Sequence, residues 1–291
     1  MYAEILSIMA PVFLCVAVGA IWQRSGRGFD GEFVSSLVMN IGAPCLIVGT
    51  LGSVDIPRSD FSLIVLAALL VIGIALALSW GVCRIMGWPA NGFVPSLTFS
   101  NTGNMGLPIC LFAFGDQGLA VALGLFLVIS LLHFSVGVVI ISGHFSPRQL
   151  LRTPILYSSI IAVILVYTGW HLPLWLHNTV KLLGGVSIPL MLLALGASLT
   201  QLRLQGLGFS VVLAVLRLVI GLITAVTVVG LLDLHGVLRG VVIILSCMPA
   251  AVFNYLLAAR YRRQTEQVAG VVVVSNLLGF LWLPGILWWL L

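Results

Sequence analysis

Apolar stretches about as long as a bilayer is thick follow one another from one end of this sequence to the other. They fall at roughly 4 to 22, 33 to 52, 61 to 83, 93 to 114, 118 to 142, 154 to 170, 174 to 199, 207 to 232, 236 to 258 and 267 to 290, each near the length of about 20 residues that a helix needs to cross the hydrocarbon core. The fold class that follows is an all-α integral membrane protein of ten transmembrane helices. Composition agrees: of 291 residues, 61% are hydrophobic and only 7% charged, too little charge to cover a soluble surface. The tryptophans (Trp22, Trp80, Trp88, Trp170, Trp175, Trp282, Trp288, Trp289) sit near segment ends, where an amphipathic ring prefers the headgroup level.

The basic residues set an orientation. With an external N-terminus, the inner connections hold Arg24, Arg27, Arg84, Arg148, Arg152, Arg203, Arg260, Arg262 and Arg263. The outer ones hold Arg58, Lys181 and Arg239, so both termini are expected outside. Met1 to Glu4 lack the basic region of a cleaved signal, so the first helix is expected to be retained. The cysteines, Cys15, Cys45, Cys83, Cys110 and Cys247, lie in apolar segments without C-x-x-C spacing. They read as small core residues, and no metal or cofactor is expected.

The two halves resemble each other. Displacing the chain by roughly 145 residues lays Pro44 over Pro189, both inside spanning segments, and Ser53 over Ser198. A slightly larger shift sets Ser100-Asn101 against Ser246-Cys247. Five helices per repeat is an odd number, so the second repeat enters from the opposite side. The domains expected are residues 1–145 and 146–291, as inverted repeats. Paired interrupted helices in such repeats point to a secondary transporter with its site near the midplane.

The interruptions carry the chemistry. Ser100-Asn101-Thr102-Gly103-Asn104-Met105-Gly106-Leu107-Pro108 opens the fourth segment, and Ser246-Cys247-Met248-Pro249-Ala250-Ala251-Val252-Phe253-Asn254 opens the ninth. Backbone that leaves the helix at that depth must be buried in protein or line a wet cavity. Pro108 and Pro249 are each expected at the first position of a new half-helix. Two half-helix N-termini would then present free N–H groups and partial positive charge, suited to a carboxylate. Asn101, Asn104 and Asn254 add side-chain donors and acceptors.

Two polar residues inside segments each admit two readings. Arg217 is either a clamp for a substrate carboxylate or a structural arginine bonded to exposed carbonyls. His133 is either a carrier of a coupled proton or a neutral histidine hydrogen-bonded between helices. The acidic residues Glu4, Asp30, Glu32, Asp55, Asp60, Asp116, Asp233 and Glu266 all map to segment ends or connections. No carboxylate therefore stands at membrane depth, where proton relays and many sodium sites place one.

The sequence resembles the auxin efflux carrier family, in its compact bacterial form. The resemblance rests on Asn101 to Pro108, on Met248 to Asn254 followed by Ala258-Ala259-Arg260-Tyr261, and on Ser275-Asn276-Leu277-Leu278 with Pro284. It implies the fold shared with sodium–bile acid symporters, in which broken helices 4 and 9 cross. Helices 1, 2, 6 and 7 (about 4–52 and 154–199) would form a scaffold, often dimeric. Helices 3–5 and 8–10 (about 61–142 and 207–290) would form a transport domain moving against it. Implied site residues are Asn101, Asn104 and Asn254, with Pro108 and Pro249 as the helix-breaking residues, Ile47 facing the site and Pro44 and Pro189 as scaffold breaks; Gly103 and Ser246, read from the interruptions themselves, complete the candidate substrate site.

The function expected is efflux or exchange of small organic anions, malonate-like, malate-like or auxin-like, by elevator-type alternating access. The setting expected is a bacterial inner membrane, and the partners are the anion, the lipid bilayer and a second copy of the chain, with no nucleic acid. A sodium-coupled symporter of bile acid type and a non-transporting sensor are the alternatives; an intramembrane enzyme has no H-E-x-x-H or G-x-S-x-G to stand on.

Overall fold

The computed structural model describes residues 2–26, 28–54, 57–144, 151, 153–201 and 207–290. Arg27, Asp55, Arg148, Arg152 and Arg203, whose placement entered the charge argument, lie outside the described residues. Among the described residues all regular elements are helical, apart from one antiparallel bridge between Ser100 and Ala250. Seven helical stretches are long and apolar enough to cross a membrane, and Pro154–Thr168 and Gly236–Ser246 are shorter apolar helices. This is an integral membrane fold.

The chain opens with α1 (Tyr2–Arg24). Asp30 caps the next helix by accepting from the Phe33 N–H at 2.9 Å, and α2 (Gly31–Leu37) runs through a π-helical turn, Val38–Gly42, into α3 (Ala43–Leu51). Then come α4 (Arg58–Ile85) and the short α5 (Ala90–Thr98). Phe99 is extended, and a second π turn, Thr102–Gly106, leads into α6 (Leu107–Leu132). A third π turn, His133–Gly137, joins α6 to α7 (Val138–Ser142). Inside α6, Gly115 has φ 64° and ψ −156°, a conformation open essentially to glycine alone. It divides α6 between the fourth and fifth apolar segments.

The second half holds α8 (Pro154–Thr168), α9 (Leu174–Gly185), α10 (Ser187–Gln201) and α11 (Leu207–Leu231). It closes with α12 (Gly236–Ser246), α13 (Val252–Tyr261) and α14 (Thr265–Leu290). At the two prolines matched between the halves, the helix is irregular on the N-terminal side. Pro44 follows the first π turn, and Pro189 follows the gap between α9 and α10. The proline cannot donate the N–H that a continuous helix would need there.

Small residues set the tightest helix crossing. A Cβ on Gly19 would collide with the Leu193 carbonyl, and one on Gly196 with the Val16 carbonyl, so α1 and α10 meet backbone to backbone. In a lipid solvent such close approach is the main source of helix–helix attraction.

Candidate functional site

The two interruptions are one structure. Residues 99–101 and 249–251 run antiparallel, with the Asn101 N–H donating to the Pro249 carbonyl at 2.7 Å and the Ala251 N–H to the Phe99 carbonyl at 3.2 Å. Each extended segment thus satisfies backbone groups that the other frees, as burial requires.

Side chains satisfy several more. Asn254 Nδ2 donates to the Phe99 carbonyl at 3.0 Å, and Asn276 Nδ2 to the Ala250 carbonyl at 3.1 Å. Asn276 Oδ1 accepts from Asn101 Nδ2 at 3.1 Å, and Ser275 Oγ accepts from the Ala250 N–H at 3.0 Å. Ser100 Oγ donates to the Leu245 carbonyl at 2.9 Å. Ser275 and Asn276, in α14, were legible only as part of the family resemblance; their task at the crossing shows only once α14 packs behind it.

Arg217 lies off this site's open face. It is sealed within the protein, with Nη1 donating to the Leu97 carbonyl at 3.1 Å and Nη2 to the Ser246 carbonyl at 2.9 Å. Those carbonyls end α5 and α12, whose C-terminal dipoles carry roughly half a negative charge each. One guanidinium therefore offsets two helix ends, and of the two readings the geometry is that of the carbonyl-bonded arginine. Gly221, one turn on in α11, allows this approach, because a Cβ there would collide with the Ser246 carbonyl.

Beside the crossing opens a cavity of about 280 Å³, near the lower limit of small-molecule sites. Asn101, Thr102, Gly103 and Asn104 line one wall, and Ala251, Val252 and Phe253 another. Phe126, Ser130 and His133 from the third wall face Ser35, Ser36 and Val38 and, from α10, Met191 and Ser198. All three π turns contribute to this lining, in keeping with the occurrence of such turns at functional sites. Each ends in a glycine into whose space another element packs: Ser187 at Gly42, Leu245 at Gly106 and Phe99 at Gly137.

What the cavity offers is hydrogen-bond donors. The backbone N–H groups of Gly103 and Asn104 and of Val252 and Phe253, in the first turns of the two half-helices, make no hydrogen bond among the described residues. The Asn104 side chain, part-exposed to the cavity, likewise has no protein partner among them. Among the described residues no lysine, arginine or carboxylate lines the cavity. Asn254 lies just behind the wall, its Oδ1 2.9 Å from His133 Nε2.

Several expected positions differ. Pro249 is not the first residue of a half-helix: α13 starts at Val252 with Ala251 as its cap, because 249–251 is held extended by pairing with 99–101. Pro108 is the second residue of α6, preceded by the π turn. Pro108, Ser246 and Pro249 are buried away from the cavity, and Ile47 is sealed in the core of α3 without facing it. Ser198, which the repeat match had paired with Ser53, lines the cavity, as do Ser130 and Phe126, which carried no sequence signal, being single residues in unremarkable apolar helices.

An all-helical membrane protein with broken helices crossing beside a half-open, mostly apolar cavity that carries unpaired N–H donors is built as a transporter. A family model described as "Membrane transport protein" matches residues 138–287, just over half of the chain, and the chain belongs to that family. The resemblance to auxin efflux carriers agrees with this membership. An uncharacterized transporter of Methanocaldococcus jannaschii is 24% identical over 290 residues, covering 93% of this chain and 94% of the relative. An uncharacterized transporter of Methanothermobacter thermautotrophicus is 25% identical over 266 residues, covering 88% and 87%.

Proposed function

We propose that this protein is a secondary carrier that exports or exchanges small organic anions, mono- or dicarboxylates, by alternating access at the crossing of its two broken helices. The observation that carries the reading is the pair of half-helix N-termini opening on one cavity, with the N–H groups of Gly103, Asn104, Val252 and Phe253 unpaired among the described residues. Helix N-termini favour negative charge, and the Asn104 amide adds a further donor. A cavity this small suits a compact acid better than a steroid-sized one.

The proposed architecture is ten spanning helices in two inverted repeats with both termini outside. The seven long stretches, the two short apolar helices and the division of α6 at Gly115 support that count. The helices α1 to α3 and α8 to α10 pack chiefly on one another, as do α4 to α7 and α11 to α14. The cavity lies where these groups meet, between α2 and α10 on one side and the crossing on the other. An elevator movement of the second group against the first would carry the cavity from one face to the other. The membrane proposed is the cytoplasmic one of a prokaryote, the two relatives being archaeal.

The test is transport by purified protein in proteoliposomes. Saturable movement of labelled malonate or malate, accelerated by the same anion on the far side, is the expected result. Absence of movement for any mono- or dicarboxylate, or single-channel currents in place of saturable flux, would overturn the reading.

A further inference from the structure

The crossing fixes the tautomer of His133. Asn254 must turn its amide nitrogen to the Phe99 carbonyl, 3.0 Å away, since the alternative orientation would set two oxygens against each other. Its Oδ1 then faces His133 Nε2 at 2.9 Å and can only accept, so Nε2 carries the hydrogen. The ring is held in this attitude by Phe99, stacked on it at 4.2 Å and 2°, and by the edge contact with Phe253 at 5.5 Å. In the neutral imidazole the remaining nitrogen, Nδ1, holds a lone pair. Nδ1 has no hydrogen-bond partner among the described residues, and it is not among the polar atoms sealed inside the protein. It belongs to a residue that lines the cavity.

We propose that His133 Nδ1 is the proton site of the carrier, and that the cargo's carboxyl group and one proton are bound there together. This rests on the reading of the cavity as an organic-anion site. A bare carboxylate beside the Nδ1 lone pair is repelled. One proton, taken from the water that the cargo leaves, turns that repulsion into a hydrogen bond between Nδ1 and a carboxyl oxygen. No other bond forms or breaks, and the proton departs with the cargo.

The proton also answers a charge problem. An isolated carboxylate out of water is costly unless paired, and Arg217, the only cation at the crossing among the described residues, is committed to the Leu97 and Ser246 carbonyls on another side. The titratable or charged groups on elements packed around the ring are Tyr255, Arg260 and Tyr261 of α13, Arg262 and Arg263 just after it, His144 just after α7, Glu266 of α14 and, on α6, Cys110 and Asp116. Across the cavity, α2 brings Glu32 beside its cap Asp30. None of these lines the cavity. The two half-helix N-termini supply partial charge for the remaining carboxyl oxygens; His133 is the only described cavity residue able to take up a whole positive charge.

The test is titration of the purified full-length protein with malonate in two buffers of different ionisation enthalpy, which counts protons directly. The expected result is uptake of about one proton per malonate and an affinity that rises about tenfold for each unit of falling pH. In His133→Gln, whose amide can still donate to Asn254, malonate binds without net proton uptake and the pH slope is lost. Proton-free, pH-independent malonate binding by the unaltered protein overturns the proton site and leaves the carrier reading standing. Equal proton uptake by His133→Gln, verified as folded by its melting temperature, overturns the assignment to His133. Failure of malonate and of every other carboxylate to bind at any pH overturns both.

Discussion

The Asn101 N–H donates to the Pro249 carbonyl at 2.7 Å, across 148 positions of sequence and between two helices that would each be continuous without their breaks. This bond sorts the freed backbone groups. Carbonyls at the ends of α5 and α12 go to Arg217 and Ser100; groups in the crossing pair with each other or with Asn254, Ser275 and Asn276. The N–H groups of Gly103, Asn104, Val252 and Phe253, at the starts of the following half-helices, stay without a partner among the described residues, and the residues that carry them line the cavity. Donors are thus concentrated where cargo would sit because the acceptors have been satisfied elsewhere.

Arg217 is expected to govern stability, not cargo selectivity. Arg217→Gln leaves at least one of the Leu97 and Ser246 carbonyls without its charged donor, at about 1–3 kcal/mol for each bond lost. Thermal unfolding in detergent should show the loss, with Arg217→Lys intermediate. In the surviving folded fraction, affinity for an anion and for its neutral analogue should fall alike. A selective loss for the anion would restore the clamp reading.

Asn101 and Asn276 are expected to act as a pair. Their side chains meet at 3.1 Å in a buried site, so each alanine replacement strands the other partner. The double replacement should cost less than the sum of the single ones, with a coupling of about 0.5–3 kcal/mol, measured from unfolding midpoints of the four proteins. Strict additivity would show that the contact contributes nothing.

The breaks are legible in the sequence because glycine, proline and asparagine clustered in an apolar run oppose a continuous helix, and Gly115 falls at the boundary that hydropathy places between the fourth and fifth segments. Direction is not legible. Hydropathy locates Arg217 along its helix but says nothing of rotation about the axis, which decides whether the guanidinium meets cargo or carbonyls. Pro249 departs from expectation for a related reason: local rules put proline at a helix start, and the pairing of 249–251 with a strand-like segment far away in sequence overrides them. Ser275 and Asn276 sit in an uninterrupted helix, so nothing local distinguishes them.

Gly221 is expected to be intolerant of a side chain and Gly230 indifferent, although both lie in α11. A Cβ on Gly221 collides with the backbone carbonyl of Ser246, which Arg217 also holds, whereas a Cβ on Gly230 meets nothing within 4 Å. Backbone cannot move aside as a flexible side chain can, so Gly221→Ala should cost about 1–3 kcal/mol or more. Gly230→Ala should be neutral or slightly stabilising, as alanine is the better helix former. Melting temperatures of the two variants in the same detergent make the comparison, and equal values would mean that α11 and α12 are not in the contact described.

Asn104 is expected to show the opposite pattern to Asn101. Its side chain faces the cavity and makes no hydrogen bond with the described residues, so Asn104→Ala removes no internal partner and should leave the melting temperature unchanged. If the cavity holds the cargo, the same substitution removes a donor to a carboxylate. A hydrogen bond to a charged group is worth about 1.5–3 kcal/mol, which is a loss of roughly tenfold to a hundredfold in affinity. Asn104→Asp keeps the size and reverses the chemistry, setting a negative acceptor against an anionic cargo, and should abolish binding of dicarboxylates before that of neutral analogues. Binding of labelled malonate to both variants, read beside their melting curves, decides the matter: unchanged affinity in Asn104→Ala would remove this residue from the site.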